Sequence, residues 1–344
     1  MLSPDRENFQ TEKKVVRTFH MGLDAADPAG AAEAISDFTT PDWRWHGMHP
    51  FNDRRGAEAV AEVFWTPLKQ AISSVQRRPD IFIAGRNEMD NYEGVWVVEM
   101  GHLMGLFDQP WLGIRPTNRV VMLRYCEFNR VEKGRIVETA MFCDIPHLMM
   151  QAGQNPFPPQ TGAMLVQPGP RTHTGLCYKK HDAERGKASL RAINEMLNDM
   201  APEARSRSPN AGTHLARTWH DDMLWWGPGG IGATYTIERY LRQHSTPFGD
   251  ALTKGYKFNG HVARLAESDF GGFFGWPNLT VANAGGFMGM PAGAQAADMR
   301  VVDMYRVEDG KLAENWIFID MLHFLAMQGL DVLGRMEKLQ AGDG

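Results

Sequence analysis

The chain has 344 residues, 43% of them hydrophobic and 22% charged, a composition that builds folded cores and excludes a disordered chain. At roughly 150 residues per domain, that length divides into about two folding units. With 36 Lys+Arg against 41 Asp+Glu the net charge is -5, and the basic pairs Lys13-Lys14, Arg77-Arg78 and Lys179-Lys180 are scattered, so nucleic-acid binding is disfavoured.

The N-terminal Met-Leu-Ser-Pro-Asp-Arg-Glu carries charge where a signal peptide needs apolar residues, and no apolar run reaches the length of a membrane span. Glu12 to Leu23 has helical apolar spacing, and Ala57 to Gln70 carries Ala, Val, Phe and Leu at three- and four-residue intervals. Strand signals follow at Asp80 to Ala84, Gly94 to Met100, Arg119 to Arg130 and Arg135 to Cys143, rich in Val, Ile, Tyr and Phe. The last two form a hairpin in which Glu132-Lys133-Gly134 fits a three-residue loop, a type I turn followed by a left-handed Gly. Pairing across that loop sets Arg124 opposite Phe142 and Met122 opposite Asp144, so alternation puts Arg124 and Asp144 diagonally on one face. Residues 154 to 188 contain Asn155-Pro156-Phe157-Pro158-Pro159 and Pro168-Gly169-Pro170, which interrupt helix and strand and read as a linker; a lid built on Phe157 is the alternative. Leu190 to Met200 is again helical, and a second hairpin turns at Glu308-Asp309-Gly310, with Arg300 opposite Phe318 and Asp320 two residues further on.

These elements repeat. Asp42-Trp43-Arg44-Trp45-His46-Gly47 lines up with Asp222-Met223-Leu224-Trp225-Trp226-Gly227, and Thr66-Pro67 with Thr246-Pro247, at a constant shift of 180. Further on the shift is 176: Arg124 and Glu127 match Arg300 and Asp303, Arg130 to Gly134 matches Arg306 to Gly310, and Phe142 to His147 matches Phe318 to His323. Four ordered anchors mark a duplication. The change of shift places four extra residues in the first copy, around Asp108 to Leu112.

On these residues each copy resembles the SnoaL-like polyketide-cyclase branch of the nuclear-transport-factor-2-like superfamily. The closing motif is Gly134 onward with Asp144, Leu148, Gln151 and Gly153, and Gly310 onward with Asp320, Phe324, Gln328 and Gly329. A strand with His102 and the loop Gly113-Ile114-Arg115-Pro116-Thr117 supply a second motif; Asn283 takes the histidine position in the second copy. The resemblance implies two tandem cone-shaped α+β barrels, each a curved, mostly antiparallel sheet wrapped by helices, at residues 1–153 and 189–344 with the linker 154–188 between. It also implies that the copies pair within the chain as an intramolecular pseudo-dimer, with further self-association open.

By position, Asp144 and Asp320 take the family's general acid/base role, assisted by His102, on a small and mostly apolar carbonyl substrate. A carboxyl at the mouth of an apolar cone suits proton transfer next to a carbonyl, and no cofactor is required. Asp144 before Ile145-Pro146 and Asp320 before Met321 equally fit helix N-caps. His46, Trp45, Arg124, Asn283, Arg300 and Trp226 are the candidate substrate-binding residues. His46 and His49 lack a third partner for a metal. Trp226 replaces His46, so the two pockets differ; if one copy alone is active, His46 and His102 favour the first. The expected activity is that of a cofactor-independent lyase, isomerase or cyclase; a hydrolase or dehydratase of the same fold, or a non-catalytic module holding an apolar metabolite, are the alternatives. The 21 methionines and ten tryptophans fit both a pocket and ordinary core packing. Three cysteines, Cys126, Cys143 and Cys177, make no disulfide framework, and the chain is expected in the cytoplasm.

Overall fold

The computed structural model describes residues 9–155, 157–164, 166–200, 214–252, 256–293 and 295–341, so the charged N-terminal segment and Pro156 lie outside the described residues. In the first half α1 (Gln10–Ala25) and α2 (Ala31–Ser36) precede β1 (Thr39–Gly47) and β2 (Asp53–Arg55). α3 (Ala57–Val60), a π-helical turn (Ala61–Trp65) and α4 (Thr66–Ala71) then lead into β3 (Ile72–Arg86), β4 (Val95–Phe107), β5 (Arg119–Glu132) and β6 (Arg135–Cys143), closed by α5 (Ile145–Gln151). The second half repeats the order: α6 (Ala183–Met200), β7 (Trp219–Trp226), β8 (Ala233–Tyr235), α7 (Thr236–Tyr240), a π-helical turn (Leu241–Ser245) and α8 (Thr246–Leu252). β9 (Lys257–Phe258), β10 (Ala263–Glu267), β11 (Phe270–Ala282), β12 (Ala296–Glu308), β13 (Lys311–Ile319), α9 (Met321–Met327) and α10 (Val332–Ala341) complete it.

Local chemistry accounts for the elements. α1 buries Val16, Phe19, His20 and Leu23, one stripe at helical spacing. Both π-helical turns end at a Thr-Pro pair, Thr66-Pro67 and Thr246-Pro247; a proline ring clashes with the carbonyl four residues back, and widening the preceding turn relieves it. Strands β1 and β7 were not among the expected elements, although Trp43 and Trp45 buried between half-exposed or exposed neighbours is a period of two.

The first sheet has the order β2-β1-β6-β5-β4-β3 and the second β10-β11-β12-β13-β7-β8, with β9 on β11. Only β1 with β6 and β7 with β13 run parallel among the described strands. The β5–β6 hairpin corrects the expected register. Lys133 and Gly134 have φ of 49° and 75°, and Asp309 and Gly310 48° and 76°, so each loop has two left-handed residues, the backbone of a type I′ turn, rather than three. A bulge beside Arg130 and another beside Arg306 then set Cys126 opposite Phe142 and Val302 opposite Phe318. Arg124 therefore lies directly opposite Asp144, whose N–H donates to its carbonyl at 2.9 Å, and Arg300 opposite Asp320 at 3.0 Å. The shift is by two residues, so each Arg and Asp still share a face. The extra residues of the first copy also move: Gly85 pairs with Trp96 across ten residues, whereas the matching pair Glu267 and Phe270 encloses two, so the first copy's insertion is the β3–β4 hairpin and not the loop after Asp108, its excess offset in part by a bulge of the second copy between Gly275 and Leu279.

Each sheet is buried on both faces. Helices cover one face, where Leu123, Tyr125, Met141 and Cys143 join a core with α1 residues Val16, Phe19 and Leu23. The outer faces of the two sheets meet in a second core that takes Trp96, Cys126, Phe128 and Phe142 from one half and Phe274, Val302, Met304, Trp316 and Phe318 from the other. Phe274 sits 4.9 Å from Phe128 and 5.5 Å from Trp96. A buried ion pair, Lys13 Nζ to Glu267 Oε1 at 2.5 Å, ties α1 to the second sheet. Among the described residues no helix is long and apolar enough to cross a membrane.

Candidate active site

Strand alternation decides which side chains enter the cones. The nominated Asp144, Asp320, Arg124, Arg300, His102, His46 and Trp226 project from the outer faces, the side of the sheet shared with Cys126, Phe142 and Phe318, and only Trp45 lies in the helix-covered core. The two Asp-Arg pairs occupy the seam between the halves. Asp144 caps α5 by accepting the His147 N–H at 3.1 Å, and its Oδ2 accepts the Gly229 N–H of the other half at 2.9 Å. Asp320 caps α9 through the His323 N–H at 3.2 Å, and its Oδ2 accepts the His49 N–H at 2.9 Å. His49 and Gly229 are related by the repeat shift of 180, so the halves exchange equivalent hydrogen bonds. Arg124 lies 3.7 Å from Asp144, donates to the Trp226 carbonyl and stacks 4.0 Å over Phe318. Arg300 donates to Asp320 and Asn52 and stacks 4.2 Å over Trp276. Burial pushes the Asp320 carboxyl up to about 6 against the Arg300 charge and two backbone N–H groups. Both carboxyls are buried, Asp144 at 3% and Asp320 at 0% exposure, so neither faces bulk water.

The other nominees are held in place too. His102 faces Asp80 at 3.3 Å, and the Nδ1 and Nε2 of His46 lie 2.8 Å from Asp53 and 2.9 Å from Glu138. Asn283 does not occupy the place of His102. Gly275 pairs with Val301, which brings Trp276 beside Arg300; Asn283 instead fastens the next loop, accepting the Gly285 N–H at 2.9 Å and donating to the Pro291 carbonyl at 3.3 Å. Among the described residues no three His, Cys, Asp or Glu side chains are placed to hold a metal ion. Open clefts of about 630 and 460 Å³ lie around Arg55, Gly56 and Arg135 and around Lys257, His261 and Trp276.

Inside the first cone the polar residues form an ion-paired cluster that sequence reasoning missed. His20 of α1 lies between Glu99 at 3.2 Å and Glu127 at 2.5 Å. Arg77 Nη1 lies 3.3 Å from Glu99, and the Tyr125 hydroxyl donates to Glu99 at 2.6 Å. Burial and the Arg77 charge pull His20 down, but the two carboxylates carry it up to about 9. Burial pushes Glu99 up, yet His20, Arg77 and the Tyr125 hydroxyl bring it down to about 2, and Glu127 is lowered by the same cations. Asp24 also lies 3.2 Å from Arg77, and with both buried carboxyls held low and His20 held high no proton of Glu99, Glu127 or His20 is near its transfer point. Above them Trp45, Phe51, Phe64 and Trp111 touch ring to ring, with Phe51 and Phe64 4.9 Å apart and Phe51 and Trp111 stacked at 5.9 Å.

In the second cone the same positions hold different chemistry. Asp303 replaces Glu127, and its cross-strand partner is Phe273 where Glu127 has Glu99. Helix α6 has no histidine. Asp303 accepts from Asn315 Nδ2 at 3.0 Å. Burial pushes its carboxyl up to about 6, opposed only by hydrogen bonds from Asn315 and Tyr305. Asp303 keeps 9% of its surface accessible where Glu127 keeps 1%. His244 stands where the first cone has Phe64, stacked 4.0 Å from Trp225 and 5.4 Å from Tyr240, and burial lowers it to about 3, so it is neutral. Trp219, 6.3 Å from Tyr240 and 5.9 Å from Tyr305, continues the aromatic wall to Asp303.

Family models match both halves: the SnoaL-like domain over residues 16–139 and the SnoaL-like polyketide cyclase over residues 279–327. The chain is thus a mixed α+β protein in which each half carries a match to a SnoaL-type model, consistent with two tandem copies. Solved structures similar to it include a SnoaL-like polyketide cyclase candidate of Jannaschia sp. CCS1, 23% identical over 46% of this chain and 99% of that one, with a TM-score of 0.35. A nuclear-transport-factor-2-like protein of Burkholderia xenovorans LB400 is 11% identical over 42% and 97%, TM-score 0.32. An epoxide hydrolase of M. tuberculosis, of the LEH-like kind, is 13% identical over 46% and 98%, TM-score 0.29. No curated protein matches the chain.

Proposed function

We propose that the second half is the reactive one, a general acid/base site for a small, mostly apolar carbonyl compound, working as an isomerase, lyase or aldol-type cyclase. The reading is carried by Asp303, a cone-facing carboxyl with no cation beside it among the described residues and a proton affinity raised to about 6. Above that pH its carboxylate removes a proton from the carbon next to the carbonyl, and the C–H electron pair moves onto the carbonyl oxygen. The resulting enolate takes the proton back on the opposite face of that carbon or on a conjugated carbon, which isomerises the compound, or attacks a second carbonyl, in which case the proton goes to the new alkoxide. A group poised near the working pH in this way contributes about 10² to 10⁴ in rate. His244, kept neutral, is the further polar group on the same wall. In this reading Asp144 and Asp320 join the halves, and the first cone, ion-paired and ring-packed, supports its neighbour.

The experiment is deuterium exchange at the α-carbon of a panel of enolisable ketones in heavy water, followed by proton NMR. The full chain should exchange at least one of them, with a rate that rises through about pH 6. Asp303→Asn should lose about 10²-fold or more of that rate. An undiminished rate in Asp303→Asn overturns the assignment.

A further inference from the structure

The open cleft of about 460 Å³ beside Lys257, His261 and Trp276 has a polar row built by three neighbouring strands. Lys257 of β9 pairs with Thr280 of β11, and Thr280 with Asp298 of β12. Directly opposed residues share a face, so an ammonium, a hydroxyl and a carboxylate stand side by side, the outer two backbones about 10 Å apart. Ala297 and Met299 lie in the helix-covered core, so Asp298 between them points to the outer face, and the row is outside the cone. The first copy fills the same row with Gln76, Met104 and Met122. Met104 and Met122 precede Thr280 and Asp298 by the repeat shift of 176, so the duplicated sheets differ here in chemistry, two thioethers in one and a hydroxyl with a carboxylate in the other.

The groups around the cleft are held in order. The Thr280 hydroxyl accepts from Asn259 Nδ2 at 2.9 Å and donates to Asp298 Oδ1 at 2.7 Å. The Asn259 N–H donates to the Asn278 carbonyl at 2.7 Å and the Val262 N–H to the Phe274 carbonyl at 2.8 Å. A bulge in β11 between Gly275 and Leu279 takes Trp276 and Pro277 out of the ladder, and both line the cleft. Trp276 is clamped by Arg300 over its ring and by its indole N–H on Asp53 at 3.0 Å. His261 stacks 3.9 Å from Phe273 and lies edge-on to Phe258 at 5.3 Å. Burial and the Arg264 charge lower its imidazole to about 3, so the ring is neutral, one nitrogen a donor and the other an acceptor. Among the described residues the His261 ring nitrogens, Lys257 Nζ and Asp298 Oδ2 have no hydrogen-bond partner.

We propose that this cleft is a second binding site, for a neutral sugar ring of the hexopyranose class, read by Lys257, Asp298 and His261. Lys257 and Asp298 offset one another's charge, so the lining favours neither a cation nor an anion. Its unpaired groups mix donors with acceptors, which is what neighbouring hydroxyls require, each being both. Trp276 and Pro277 add rigid apolar surface for the C–H side of the ring, and the negative face of an indole attracts such hydrogens. The volume falls within the range of about 300 to 1,000 Å³ that small-molecule sites occupy. Because the row faces away from the cone, the proposal goes beyond the Asp303 reading and does not depend on it.

The test is titration calorimetry of the full-length chain with the methyl α-glycosides of glucose, galactose and mannose. At least one should bind saturably at millimolar concentration. Lys257→Ala and Thr280→Val should each weaken that binding at least fivefold, and Arg55→Ala, in the other open cleft, should leave it within twofold. Sodium phosphate and glycine, probes for a site that reads charge, should not displace the glycoside at equal concentration. No saturable binding of any of the three, unchanged binding in Lys257→Ala, an equal loss in Arg55→Ala, or displacement by phosphate or glycine overturns the proposal. Lys257 is exposed, so Lys257→Ala decides alone if Thr280→Val does not fold. Binding is read without turnover, so the sugar site can fail while the Asp303 reading stands, and the reverse.

Discussion

A side chain's role here follows from which charges share its burial. Glu99, Glu127 and Asp303 all project under helices, yet the first two are drawn below the ordinary carboxylate range by His20 and Arg77 while Asp303 is pushed up to about 6. The consequence for stability has a definite sign. A carboxyl raised in the folded state contributes fully below its unfolded value of 3.8, and that contribution is lost as pH rises through about 6. At neutral pH the ionised Asp303 therefore opposes folding, by at most about 3 kcal/mol for a shift of this size. Asp303→Asn should stabilise the chain by about 1–3 kcal/mol at pH 7.5 and by little at pH 4, as urea unfolding at the two pH values will show; destabilisation at pH 7.5 would mean that the carboxylate has a cation partner. Position 303 is visible in the sequence as the repeat partner of Glu127. Its importance is not, because what separates the two residues is a histidine on another helix.

At the level of elements, spacing is a good guide to existence and a poor one to register. α1, the rod from Ala57 to Ala71 and strands β5 and β6 fall where apolar periodicity puts them, whereas β3 starts at Ile72 rather than Asp80 and β4 runs on to Phe107 rather than Met100. Each hairpin loop is one residue tighter than its composition suggests, because Gly134 is not the sole left-handed residue: Lys133 at φ 49° shares that conformation. The tighter turn and the bulge beside Arg130 together move the pairing by two, which preserves the face. Gly134 has φ 75°, and a Cβ added to it would meet nothing within 4 Å, so Gly134→Ala isolates the backbone cost. A loss of about 1 kcal/mol or more in urea unfolding is expected, and no loss would contradict the type I′ assignment.

For the whole molecule, alternation can say that Arg124 and Asp144 share a face but not which face is inside. That ambiguity is physical. Leu123 and Tyr125 on one side and Cys126 and Phe128 on the other are all apolar and buried, because helices cover one face and the partner sheet the other, as in any strand buried on both sides. The sequence pattern therefore assigns the nominated residues to the cones when they belong to the seam. Expressed alone, residues 1–153 or 189–344 would bare Phe128 and Phe142 or Phe274, Trp316 and Phe318 to water, and each piece should aggregate; two soluble, monomeric halves by analytical ultracentrifugation would argue against the apolar seam. The central claim, that only the second cone holds a carboxyl ready to exchange a proton, is tested most directly by titrating the full chain labelled with carboxyl carbon-13 on Asp and Glu, with Asp303→Asn assigning the signal. The account predicts a midpoint near 6 for Asp303, with Glu99 and Glu127 charged from pH 4.5 upward. An Asp303 already ionised at pH 4.5, or a Glu99 or Glu127 titrating near 6, would contradict it.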